Sequence, residues 1–137
     1  ALTAFIPMLM DTGGNAGSQA SATIIRSLSL NEIDFSDLPR VLWKELRVSV
    51  LCGGMLAVCM FAKALLFDRE TVAVASVVSL TLIITVIIAK LVGCSLPILA
   101  KKIKIDPAVM ASPFITTIVD ALSLLVYFTF ASRILGI

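Results

Sequence analysis

The chain has 137 residues, 59% of them apolar and 15% charged, with a mean hydropathy of +1.07 and a formal net charge of +2. Soluble domains run about 45–50% apolar and about 25% charged, and a chain this short has too much surface per volume to hide the excess in a core. That excludes an ordinary cytosolic domain and leaves the bilayer as solvent. The small net charge, with no basic patch interleaved with aromatics, speaks against nucleic-acid binding. Histidine is absent, which removes Ser-His-Asp and Cys-His catalysis and every His-dependent metal site. Cys52, Cys59 and Cys94 lie in apolar runs without CxxC spacing and read as small packing residues. No signal-peptide pattern opens the chain. The sequence starts without Met, so a fragment of a longer protein is expected.

Charged and breaker residues divide the chain into four apolar segments, about 1–30, 38–67, 71–100 and 106–136. Each is long enough to cross the hydrocarbon, which takes about 20 residues of helix. The first carries Asp11, Asn15, Ser18 and Ala22 at i, i+4, i+7 and i+11, one helical face. Gly13, Gly14 and Gly17 lie among them, and Gly13-x-x-x-Gly17 reads as a small-residue packing seam. A seam and a polar site are compatible, because glycine leaves its backbone carbonyl uncovered. After the polar link 31–37, Ser36 or Asp37 with Pro39 can start the second segment. There Val48 to Ala62 is uncharged, and spanning length is reached if Lys63 snorkels outward. The third is the clearest, with no charge from Thr71 to Ala89. Asp106-Pro107 starts the fourth well, Asp as cap and Pro at the first helical position. The runs are too long for barrel strands and do not alternate. The expected fold is an all-α, polytopic membrane bundle of four transmembrane helices.

Arg26, Arg40, Lys44, Arg47, Lys101, Lys102 and Lys104 gather at one end of these segments. Lys63, Arg69 and Arg133 map to the other, with Lys90 inside a span. The positive-inside rule puts 31–37 and 101–106 in the cytoplasm, and 68–70 with the C-terminus outside the plasma membrane. The basic cluster around the second segment reads as interfacial anchoring rather than specific lipid recognition. The acidic loop of Glu32, Asp34 and Asp37 reads as solvated charge.

Asp120 lies 14 residues into the last segment, roughly 21 Å from its start. A carboxylate at that depth costs about 2.5–3.5 kcal/mol and normally faces an interior or a water path. Ser112, Thr116 and Asp120 recur at i, i+4 and i+8, and Ser123 and Tyr127 continue the stripe. Pro113 among them frees the Val109 carbonyl. A plainer reading has the hydroxyls bonding their own helix and Asp120 pairing with Lys90. Counting along antiparallel helices sets Gly17–Ser18 level with Asp120, and Asp11 about six residues (~9 Å) nearer the outside. Asn15, Ser18, Gly17 and Ser123 then line a path between two carboxylates. Oxygen ligands without His or Cys suit hard cations: Mg²⁺, Mn²⁺ or Ca²⁺.

These residues resemble the membrane domain of the MgtE family of bacterial magnesium channels. The resemblance is carried by Pro7 through Gln19 (PMLMDTGGNAGSQ) and Arg26, then Lys44-Glu45, Leu91-Val-Gly93 with Pro97, Asp106-Pro107, Ser112-Pro113 and Asp120. It runs through essentially the whole chain. It implies a homodimer with one pore on the two-fold axis and five spanning helices per protomer, of which this chain holds the last four. A cytoplasmic regulatory domain would lie outside this sequence. It also implies Asp120 as the central ligand of a transported Mg²⁺, with Gly14, Ser112 and Thr116 supplying backbone carbonyls; Asp11, further out, is added by the depth count alone. The family often has Gly at Asp11 and Asn at Ser18 and Ser112, departures that bear on ion selectivity rather than on the type of transport.

Two other functions use the same carboxylates. A proton- or cation-coupled transporter would titrate Asp120 and Lys90 during alternating access. An intramembrane aspartyl protease would use Asp11 and Asp120. Asp11-Thr12-Gly13 spells the soluble enzymes' tripeptide but in a helix-like segment, and Ile118-Val119-Asp120 lacks the membrane enzymes' Gly-x-Gly-Asp. The ~9 Å offset also opposes proton sharing. No catalytic residues and no enzyme activity are expected.

Overall fold

The computed structural model describes residues 5–30, 35–67, 69, 71–106 and 112–136. They form α1 (Ile6–Ser29), a short 3₁₀ turn (Phe35–Asp37), α2 (Leu38–Leu66), α3 (Val72–Lys102) and α4 (Ser112–Leu135). The all-helical membrane fold is therefore as expected. α2, α3 and residues Phe114–Leu135 of α4 are long and apolar enough to cross a membrane. α1 is more polar, through Asp11, Asn15, Gln19 and Arg26.

The helix ends follow local chemistry. Pro7 and Pro39 sit in the first turns of α1 and α2, where a missing N–H costs nothing. Asp37 precedes α2 but makes no side-chain cap bond; Arg40 holds its carboxylate at 2.8 Å instead. Thr71 does cap α3, its Oγ1 accepting from the Val74 N–H at 3.2 Å. α3 ends in a paired closure: the Lys104 N–H donates to the Lys101 carbonyl at 3.1 Å and the Ile105 N–H to Ala100 at 2.8 Å. Lys104 takes the left-handed position this closure requires, with φ 63°. The expected Asp106-Pro107 start of the last helix reaches beyond the described residues, as 107–111 are not among them.

α3 is the central helix, packed against α1, α2 and α4, and α1 also packs on α4. At one end Phe5, Leu9, Met60, Ala64, Val78 and Tyr127 form a core from all four helices. At the other, Ala20, Ile24, Leu28, Cys94 and Ile98 join α1 to α3, with Leu38, Val41 and Leu42 of α2 against them. α1 and α3 thus run parallel, and α2 and α4 run opposite to them. Leu51, Met55, Val58 and Leu66 leave an apolar outer surface on α2, as a lipid-facing helix requires.

At the described glycines, α3 comes up against the backbones of both α1 and α2. A Cβ on Gly93 would overlap the Gly17 carbonyl oxygen and lie 3.2 Å from the Ala20 Cβ. A Cβ on Gly53 of α2 would lie 3.3 Å from the Ile83 Cα of α3. Such approach gains dispersion contacts that helices in lipid must use in place of the hydrophobic effect.

Candidate cation site

The glycine seam of α1 is what positions the polar stripe of α4. A Cβ on Gly14 would lie 3.5 Å from Thr116 Oγ1, so these two expected site residues are neighbours. One on Gly17 would meet Ile115 Cγ2 at 2.8 Å and the Ala89 carbonyl at 3.2 Å. One on Gly13 would meet Thr85 Cγ2 and Val119 Cγ1, both at 2.8 Å, with Ser123 Oγ at 3.6 Å. Gly13, Gly14 and Gly17 are all buried.

These contacts also set the register. Gly13 faces Val119 and Ser123 while Gly17 faces Ile115 and Val119, so Asp120 is level with the turn between the two glycines. The count from the segment ends put it at Gly17–Ser18. Segment ends need not share one level, and the packing contacts stagger α4 against α1 by about one turn from that count.

Asp120 is partly buried, and its Oδ1 is enclosed with no hydrogen-bond partner. An anionic oxygen withdrawn from water without a donor is costly to keep, and a cation removes that cost. Lys90 does not: no hydrogen bond or ion pair joins it to Asp120. It lies partly buried on α3, where it and Glu45 of α2 both act electrostatically on Cys94.

The remaining expected residues divide between two environments. Ser123 is 1% exposed, inside the bundle against Gly13, and its Oγ has no partner. Tyr127, which continues the stripe in sequence, is fully buried in the end core. Asp11 and Asn15 face outward from the bundle, the Asn15 Nδ2 donating to Asp11 Oδ2 at 3.4 Å. Gln19, Ala22 and Arg26 extend this exposed face, with Ser18 partly buried beside it. The Ser112 side chain lies outside the described residues. Among the described residues no three acidic or cysteine side chains converge as a metal cage, so the chain alone brings one enclosed carboxylate oxygen to this level.

Sequence reasoning missed the α3 side of the seam. Thr81 and Thr85 are fully buried, each with its hydroxyl unpartnered. The signal was the small stripe Thr85, Ala89, Gly93 at i, i+4 and i+8, one face of α3.

A profile of the MgtE family, described as a divalent cation transporter, matches residues 6–130. The chain is 36% identical over 132 residues to the magnesium transporter MgtE of Bacillus subtilis, covering 96% of this chain and 29% of that protein. It is likewise 36% identical over 135 residues to the magnesium transporter MgtE of Thermus thermophilus, covering 98% and 30%. The corresponding Enterococcus faecalis protein is 30% identical over 131 residues, covering 96% and 29%. The chain thus spans about three-tenths of the length of the curated relatives it matches.

Proposed function

Because the chain belongs to the MgtE family of divalent cation transporters, we propose that it is the pore-forming part of a magnesium channel, built from two copies around a two-fold axis. The observation that carries this reading is Asp120: an acidic side chain deep in an apolar helix, with one oxygen enclosed and unpartnered. One such oxygen cannot hold a divalent ion. An isologous pair presents every ligand twice, and two Asp120 carboxylates across an axis supply the charge that one protomer lacks.

Mg²⁺ sheds its water reluctantly. A pore that passes it quickly therefore holds a largely hydrated ion through carboxylates and carbonyls, at modest affinity. Asp120 is the selectivity carboxylate of this pore. The backbone carbonyls of Gly14, Ser112 and Thr116 take the ion's bound water, and Asp11 collects cations further out. The outward polar face of α1, with Asp11, Asn15 and Gln19, would be misplaced against lipid and fits a water-filled path between copies. Mn²⁺ and Ca²⁺ share the same oxygen chemistry. The basic ends at 38–47 and 101–104 lie on the cytoplasmic side, the side on which a regulatory domain supplied by the rest of the protein would sit.

The test is Mg²⁺ uptake by the full-length protein in proteoliposomes, with rescue of a magnesium-transport-deficient cell. Asp120→Ala and Asp120→Asn each remove the charge, and flux should fall at least roughly tenfold in both. Undiminished flux would overturn the reading. Neither the protease nor the Lys90-coupled carrier gains support: the family transports cations, and Lys90 does not meet Asp120.

A further inference from the structure

The first turns of α2 hold a second feature that the pore does not use. Arg40, Trp43, Lys44 and Arg47 recur at i, i+3, i+4 and i+7, so they share one face, and all four are exposed. α2 has 29 residues, about 43 Å of helix at about 1.5 Å per residue, against about 30 Å of hydrocarbon. Val48 to Leu66, about 28 Å of helix with Lys63 snorkelling outward, takes the hydrocarbon. That leaves 38–47 at headgroup depth.

Two recesses meet there. One, of about 410 Å³, is lined by Arg40, Val41, Trp43, Lys44 and Arg47. The other, of about 350 Å³, runs between α2 and α3 and is lined by Leu42, Leu46 and Leu91, with Pro39, Ser95 and Trp43. Trp43 is the shared wall. It is 60% exposed, and the Arg47 guanidinium lies 5.9 Å from its ring centroid, which fixes one cation beside the partition. Arg40 is already held by Asp37. Among the described residues no acidic side chain pairs with Lys44 or Arg47.

We infer that this is a binding site for one anionic phospholipid, phosphate against Lys44 and Arg47 and an acyl chain in the groove of Leu42, Leu46 and Leu91. General anchoring needs only charge near the surface. It does not need a cationic recess opening onto an apolar one across an interfacial tryptophan. The occupant is a lipid rather than a free anion because the second recess has no charged lining. The site stands apart from Asp120 and does not depend on the pore.

Trp43 is the chain's single tryptophan and therefore the reporter. The full-length protein is placed in vesicles of phosphatidylcholine with equal small fractions of acyl-brominated phosphatidylglycerol or acyl-brominated phosphatidylcholine. Trp43 quenching is isolated by subtracting a Trp43→Phe sample. Roughly tenfold preferential quenching by the anionic lipid is expected. The preference should vanish in Lys44→Gln/Arg47→Gln. It should survive in Lys44→Arg/Arg47→Lys, and in Lys102→Gln/Lys104→Gln, which removes equal charge from the same end of the bundle. It should also survive an excess of inorganic phosphate. Equal quenching by both lipids, equal loss in both glutamine pairs, or reversal by phosphate alone would each overturn the assignment.

Discussion

Adding one methyl group at each glycine in turn separates packing from helix propensity. A Cβ at Gly93 meets backbone: it overlaps the Gly17 carbonyl oxygen and stands 3.1 Å from the Gly17 carbonyl carbon. Backbone cannot rotate out of the way, so α1 and α3 must separate along their contact. Overpacking costs about 1–3 kcal/mol, and alanine returns about 1 kcal/mol over glycine in a helix interior. With an immovable obstacle the upper part of the range applies, for a net loss of about 2 kcal/mol in Gly93→Ala. At Gly13 the obstacles are the Thr85 and Val119 methyls at 2.8 Å, which can turn, so the net loss should stay below about 1 kcal/mol. At Gly54 nothing lies within 4 Å, and the alanine should gain up to about 1 kcal/mol. Thermal unfolding in one detergent reads the series. At about 4 °C per kcal/mol, Gly93→Ala should melt roughly 8 °C below wild type and Gly54→Ala at or above it. A Gly93→Ala protein as stable as wild type, or Gly54→Ala as damaging as Gly93→Ala, would refute the close approach of α1 and α3.

Thr71→Ala removes the bond to the Val74 N–H and should cost about 1 kcal/mol, largely restored by Thr71→Ser; amide exchange in the first turn of α3 reads it. Lys104→Gly relieves the left-handed strain at φ 63° and should stabilise by up to about 1 kcal/mol, measured by the same melt. Lys101→Met removes the ammonium that donates to the Leu28 carbonyl at 3.2 Å, a charged bond worth about 1.5–3 kcal/mol when buried and less here at its part-exposed site. Faster exchange at the end of α1 should follow, and an unchanged rate would count against the bond. Asp11→Asn removes an exposed charge bonded only within its helix, so Mg²⁺ uptake should persist with a several-fold weaker apparent affinity; abolished uptake would make Asp11 a central ligand instead.

The helices are legible in the sequence because four long, mainly apolar segments are separated by short links rich in charge. Their ends are less so: Asp37 holds Arg40 rather than capping α2, a contest between partners three residues apart that composition does not decide. Of the site, the pairing of Gly14 with Thr116 is legible through the family resemblance; counting from the segment ends sets α4 about one turn off, because segment ends do not fix how two helices are staggered. The outward facing of Asp11 and the inward burial of Ser123 are not legible. Both belong to polar stripes, and which edge of a stripe is covered depends on where α3 packs. That depends in turn on Thr85, Ala89 and Gly93, which read as featureless within the most apolar segment of the chain.

The four helices are not mounted alike. α1 and α2 are each keyed to α3 through backbone, at Gly17–Gly93 and at Gly53–Ile83, so sliding either one drives main chain into main chain. α4 meets α1 through the methyl groups of Ile115, Val119 and Thr116, which can exchange rotamers at a cost of about 1 kcal/mol each. The glycine contacts therefore lock α1 and α2 to α3 by backbone, and the expectation is that the Asp120 helix is the one that shifts. Spin-label distances compared with and without Mg²⁺ should change more between α3 and α4 than between α3 and α1; the reverse order would contradict it.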